Sequence, residues 1–172
     1  MKHKRLIAAS AALIALTAAV LFIFAYNGKY LLLSNESTGE ILFCAEVREG
    51  EQFSVSYIHS VNKSPVTEYY QVSGADIYLT ALRFRAFGAG MPTKPDEGQS
   101  MRIDGDDMVI DGFSRHMPYV CYFIGRVADH TLGWRDSEIH LDTLDEPGQP
   151  VLFSIKEYPR VFMALNIAGV EP

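Results

Sequence analysis

From Tyr30 onward, apolar side chains recur at every second position, and turn residues break the runs about every 8–12 positions. Period two is the rise-and-alternate habit of a strand with one dry and one wet face, and a helix bundle does not carry it. The cadence predicts an all-β, sandwich-like antiparallel domain. Strands are expected at 30–33, 40–48, 52–60, 65–73, 76–85, 101–104, 107–111, 119–127, 138–142 and 150–156. The breaks carry turn chemistry, as in Asn35-Glu-Ser-Thr-Gly39, Asn62-Lys-Ser-Pro65, Ser73-Gly-Ala-Asp76 and Asp104-Gly-Asp-Asp107. The longest irregular piece, Phe87 to Ser100, is interrupted by Gly88, Gly90, Pro92, Pro95 and Gly98. Long loops on a rigid β scaffold are where function tends to sit.

A different pattern precedes this one. Leu6 to Tyr26 is a run of 21 residues without a charge, preceded by Lys2, Lys4 and Arg5. A helix of that length spans roughly 30 Å, the hydrocarbon thickness of a bilayer. The basic lead places its own side in the cytoplasm, so the expectation is one N-terminal transmembrane helix contacting lipid through residues 6–26. A cleaved signal peptide is the alternative, although Phe22-Ile-Phe-Ala25 puts bulky residues where a cleavage site wants small ones. The chain then divides into a basic tip and anchor over 1–29 and an extracytoplasmic β domain over 30–172, at the cell membrane. The domain holds 11 bases against 21 acids. That balance argues against nucleic acid, which needs a basic surface. Cys44 and Cys121 lie in strand-like runs, either as buried thiols or as a disulfide permitted by an oxidising compartment.

Alternation exposes three polar intruders. His59 follows Phe53, Val55 and Tyr57 on one face of its strand; Glu68 shares a face with Val66, Tyr70 and Val72; Arg83 falls in phase with Ile77, Leu79 and Ala81. An ionisable group in an apolar row is costly unless paired or used. If Ser60 faces Pro65 and Ser73 faces Asp76, then Tyr57 faces Glu68 and Val66 faces Arg83. His59, Glu68 and Arg83 then share one sheet face, with Glu68 diagonal to the other two. A one-residue slip would send members to opposite faces. Ser60 points away from its neighbour His59, so a Ser–His pair is not expected.

Three weaker candidates follow. Gly88 and Gly90 in Phe87-Gly-Ala-Gly90-Met-Pro92 could form a backbone concavity for an anion, but no Lys-Ser/Thr follows as in a nucleotide loop. His130, near Trp134, could line a pocket. No spacing of His, Cys and acids calls for a metal, and no motif calls for another cofactor.

The runs Phe53–Val61, Pro65–Tyr70 and Leu82–Pro92, with Ala128-Asp-His130-Thr-Leu132 as the last marker, resemble an uncharacterised family. It is the domain of unknown function commonly encoded beside the fused membrane subunits of TAXI-type TRAP transporters. The resemblance covers about Leu31 to Leu132 and brings no catalytic residues. It implies an exported, membrane-tethered accessory of a solute transporter, with the TRAP membrane subunit or the solute receptor as the expected partner. From the residues alone, two other functions stay open. One is a small anionic-ligand-binding module using Arg83 and the Gly-rich loop. The other is a hydrolase with His59 and Glu68 as acid–base groups.

Overall fold

The structure is a computed structural model that describes residues 10, 12–21, 27–88 and 90–159. Of the expected membrane span, residues 10 and 12–21 are helical, and the remainder lies outside the described residues. Among the described residues, no helix is long and apolar enough to cross a membrane.

Eleven strands follow: β1 (Asn27–Asn35), β2 (Ile41–Glu46), β3 (Gln52–Ile58), β4 (Pro65–Ser73), β5 (Asp76–Phe84), β6 (Ser100–Asp104), β7 (Asp107–Met117), β8 (Val120–Phe123), β9 (Thr131–Trp134), β10 (Ser137–His140) and β11 (Pro150–Pro159). They form a four-stranded sheet in the order β2-β1-β11-β8 and a seven-stranded sheet in the order β10-β9-β3-β4-β5-β7-β6. Every pairing is antiparallel. The all-β, sandwich-like expectation holds. Five strands depart most from it: β1 begins at Asn27, β7 runs on to Met117, β8 stops at Phe123 where 119–127 was expected, β11 runs on to Pro159, and β9 was not expected.

The core lies where the alternating rows of the two sheets meet. Leu31, Leu33, Val151, Phe153 and Ile155 of the smaller sheet pack against Phe53, Val55, Tyr70, Val72, Ile77, Leu79, Leu132 and Trp134 of the larger. Phe53 stacks on Phe153 at 6.1 Å and on Tyr70 at 5.2 Å, joining the layers with aromatic area. The larger sheet extends beyond the smaller. There Val66, Leu82, Phe84 and Ile110 form a second cluster, with Met91 of the glycine-containing loop packed against it. The same loop presses on β7 at Gly112, where φ is +88° and an added Cβ would lie 2.6 Å from the Gly98 carbonyl oxygen. Only glycine accepts both constraints.

The possible disulfide is corrected by this topology. Cys44 on β2 and Cys121 on β8 occupy opposite edges of the four-stranded sheet, and both are free. Three inter-strand steps of about 4.8 Å separate those edges, twice the Cα distance a disulfide tolerates.

Candidate functional site

The expected triad does not assemble, because two registers differ from the simple hairpin closures. Between β3 and β4, Ile58 faces Pro65 and Tyr57 faces Val66. The offset is two residues, so faces are kept, but the connection becomes a six-residue turn and Glu68 faces Val55. Between β4 and β5, Ser73 does face Asp76, but a bulge follows: Tyr70 faces Leu79 while Tyr69 faces Ala81. Thr80 is the extra residue. Beyond it Leu82 and Phe84 turn to the core, and Arg83 turns to the outer face opposite Thr67. A bulge exchanges the two faces of everything downstream.

On that outer face Arg83 donates to Asp107 at 2.9 Å and to Asp104 at 3.0 Å, and Arg85 donates to the other Asp107 oxygen at 2.9 Å. Hydrogen bonds from Arg83 and then Arg85 hold the Asp107 carboxyl below the usual carboxylate range. Arg83 is thus spent on fastening β5 to the β6–β7 turn.

Glu68 keeps its inward position and gains partners that the alternation did not name. Tyr70 on the same strand donates to Glu68 Oε2 at 3.1 Å, Tyr122 of β8 donates to the same oxygen, and the two phenol oxygens lie 2.6 Å apart. The carboxylate therefore ties the two sheets together through hydroxyls. Burial, followed by the nearby Glu68 charge, pushes the Tyr57 hydroxyl up to about 12. Burial also raises the Tyr70 and Tyr122 hydroxyls. All three phenols stay protonated, and Tyr70 and Tyr122 serve as donors to Glu68. Tyr122 sits in the run Tyr119-Val-Cys-Tyr122-Phe, which reads as plain core; the available signal was that a buried phenol requires an acceptor, and Glu68 is the carboxylate in the facing row.

Four of the six candidates meet elsewhere, at one end of the sandwich. His59 opens the turn after β3: its N–H donates to Ser64 O, and Lys63 N–H returns to His59 O, both at 2.9 Å. His59 Nδ1 accepts from the amides of Val61 at 3.2 Å and Asn62 at 3.3 Å, which leaves the ring proton on Nε2. Asn62 donates to the carbonyls of Ala86 and Gly88, tying this turn to the glycine loop. Gly88 O accepts from Met91 N–H at 3.0 Å, with Gly90 at φ +88° in the third position of the turn. Here the glycines make a turn rather than an open anion nest.

The third loop, Ile124 to His130, joins through Ile58 N–H, which donates to Ala128 O at 2.6 Å. His130 then packs between Tyr57 at 5.4 Å and Tyr122 at 5.7 Å, so it links the loop end to the Glu68 group. A cavity of about 270 Å³ lies between the two loops, lined by Ile58, His59, Ser60, Lys63 and the Gly125–Ala128 segment. Val61, Phe87 and Val127 stand exposed around this end, at 69%, 49% and 75%. Two of the three non-glycine residues with positive φ are also here, Lys63 at 51° and Asp129 at 47°. Such strain collects at functional sites because the surroundings must over-determine it.

His59 and Glu68 do not form an acid–base pair. Glu68 faces Val55, four residues along the strand from His59, roughly 14 Å away.

His130 and His140 titrate in opposite directions. Burial lowers the His130 value, while a 2.9 Å hydrogen bond with Asp129 raises that of His140. In an NMR pH titration His130 is expected to lose its proton below the ordinary imidazole value near 6.5, and His140 above it. The stability contributions carry opposite signs. As pH falls through 6.5 toward the depressed His130 value, protonation of the unfolded form costs the fold stability; the His140 contribution is full below 6.5 and fades as pH rises through its elevated value.

Among described residues no cluster of His, Cys and acids is arranged to hold a metal ion. A family model described as a domain of unknown function (DUF1850) matches residues 53–141, just over half of the chain, from β3 through the loop after β10. No curated protein and no solved structure matches.

Proposed function

We propose, for a chain that belongs to the DUF1850 family and takes no activity from it, a non-enzymatic extracytoplasmic accessory module of a TRAP-type (TAXI) solute transporter. A membrane tether formed by residues 6–26 completes the reading. Its support is the family resemblance, the uncharged run behind a basic tip, and the direction in which the domain points.

Direction is the observation that carries it. Asn27 pairs with Pro159 at one end of β1, and Asn35 pairs with Val151 at the other. The loop end lies with Asn35: Glu36 N–H donates to Pro150 O, and Ile124 N–H to Gln149 O. A nine-residue strand is about 27 Å long, so a tether entering at Asn27 holds the loops that far from its own end of the sandwich. The exposed Val61, Phe87 and Val127 then face away from the lipid, toward a protein partner or a solute. Isolated exposed apolar residues are ordinary; three around one strained loop cluster are a contact surface.

Purification of the tagged full chain from native membranes is expected to bring down a TRAP membrane subunit or its solute receptor. Val61→Asp with Val127→Asp, both at exposed positions, is expected to reduce that recovery severalfold while leaving the melting temperature unchanged. Recovery of the chain with no transporter component overturns the proposal.

A further inference from the structure

The geometry points to a binding site for a small organic anion with an apolar tail, in its simplest form a straight-chain carboxylate, in the cavity between the His59–Ser64 turn and Gly125–Ala128. This names a ligand for the loop end and so rests on the reading of that end as the working surface.

Size comes first. The cavity of about 270 Å³ is below the range of roughly 300–1,000 Å³ that holds drug-sized ligands. It is worth about nine water molecules at roughly 30 Å³ each, which suits an acid of about six carbons. The walls are apolar: Ile58, Val127, Ala128 and the bare backbone of Gly125. Gly125 is held so close to Ala128 that an added Cβ would lie 2.7 Å from the Ala128 Cβ, so the wall is a tight turn and not a loose flap.

Charge comes second. Lys29, Arg83, Arg85, Arg102 and Arg135 each have a carboxylate partner. Lys63 and Arg126, both on the cavity lining, have none among the described residues. Arg48, Lys94, Arg115 and Lys156 likewise enter no ion pair among the described residues, so what sets Lys63 and Arg126 apart is that both line one cavity. The His59 ring adds an Nε2–H that no described residue accepts, while its Nδ1 is consumed by the turn. Lys63 is presented from a left-handed backbone conformation that disfavours every residue but glycine and, to a lesser degree, asparagine and aspartate. A carboxylate at the opening meets two cations and a ring N–H donor, and its alkyl tail displaces water from the apolar walls. Neither an alcohol nor an amine of the same length satisfies both halves.

The test is an NMR titration of the full chain in detergent with straight-chain carboxylates from acetate to octanoate, reading the Val127 methyls and the His59 ring. Affinity is expected to rise about fourfold per added methylene until the cavity fills near six carbons, then to level off. Hexylamine is expected not to bind. Lys63→Gln with Arg126→Gln is expected to weaken hexanoate binding about tenfold or more at an unchanged melting temperature. Absence of saturation with every carboxylate, equal binding of hexylamine, or unchanged affinity in the double variant overturns the inference. Failure here with transporter recovery intact rejects the ligand alone; hexanoate binding without transporter recovery rejects the accessory role alone.

Discussion

Phe153→Ala is expected to lower the unfolding free energy by about 3–5 kcal/mol, the usual cost of removing a fully buried phenyl ring. For a domain of this size that is roughly 10–20 °C in melting temperature, and a large part of a stability of about 5–15 kcal/mol. The reason is its location. Phe153 stacks on Phe53 of the opposite sheet and meets the Tyr122 ring edge-on at 5.6 Å, so one side chain supports both the layer contact and the phenol that serves Glu68. Thermal and urea unfolding measure the loss. A Phe153→Leu variant, which keeps much of the volume, is expected to recover more than half of it. A loss below about 1 kcal/mol for the alanine variant would mean that the two sheets are not held together where the structure puts them.

Tyr122→Phe carries the second largest effect, about 1.5–3 kcal/mol, because it deletes a donor to a half-buried carboxylate together with the hydroxyl contact to Tyr70, and leaves the ring in place. Tyr70→Phe is expected to cost less, since its 3.1 Å bond to Glu68 is the longer of the two. The informative comparison is Glu68→Met. With the carboxylate gone, Tyr122→Phe should cost markedly less, because only the 2.6 Å contact with the Tyr70 hydroxyl is then left to lose. A double-mutant cycle on the full chain therefore separates the bond from the packing of the ring. If Tyr122→Phe costs the same with and without Glu68, the hydroxyl is not acting on the carboxylate.

Much of the fold was legible because one-sided burial writes a period of two into the chain. Phe53, Val55 and Tyr57, and likewise Val66, Tyr70 and Val72, marked their strands and the inward position of Glu68. The placement of Arg83 failed for a reason that the residues also carry. Ile77 and Leu79 are two apart, but the next large apolar residues are Leu82 and Phe84, so the dry phase shifts by one between Leu79 and Leu82. Reading Ala81 as a core residue hid that shift. Strand β9 was missed because Thr131-Leu-Gly-Trp134 is short and its Gly133 breaks the pattern. A Cβ at Gly133 would press on Ser54 Oγ of the next strand, a contact between elements far apart in the chain. The loop end was only half visible. His59, Gly88, Gly90 and His130 could be picked out singly, but their meeting depends on Asn62 reaching Gly88 and Ile58 reaching Ala128. No local pattern encodes such long-range bonds.

The seat of β1 within its sheet also decides how the domain answers to force. β1 is an inner strand, matched to β11 over nine residue pairs and to β2 over five. A pull between Asn27 and the far loops runs along the strand and shears those rows, so that many bonds must give way at once. A strand at the margin, drawn sideways, would unzip one bond at a time. Tension on the leading segment is thus met by the mechanically stronger of the two geometries.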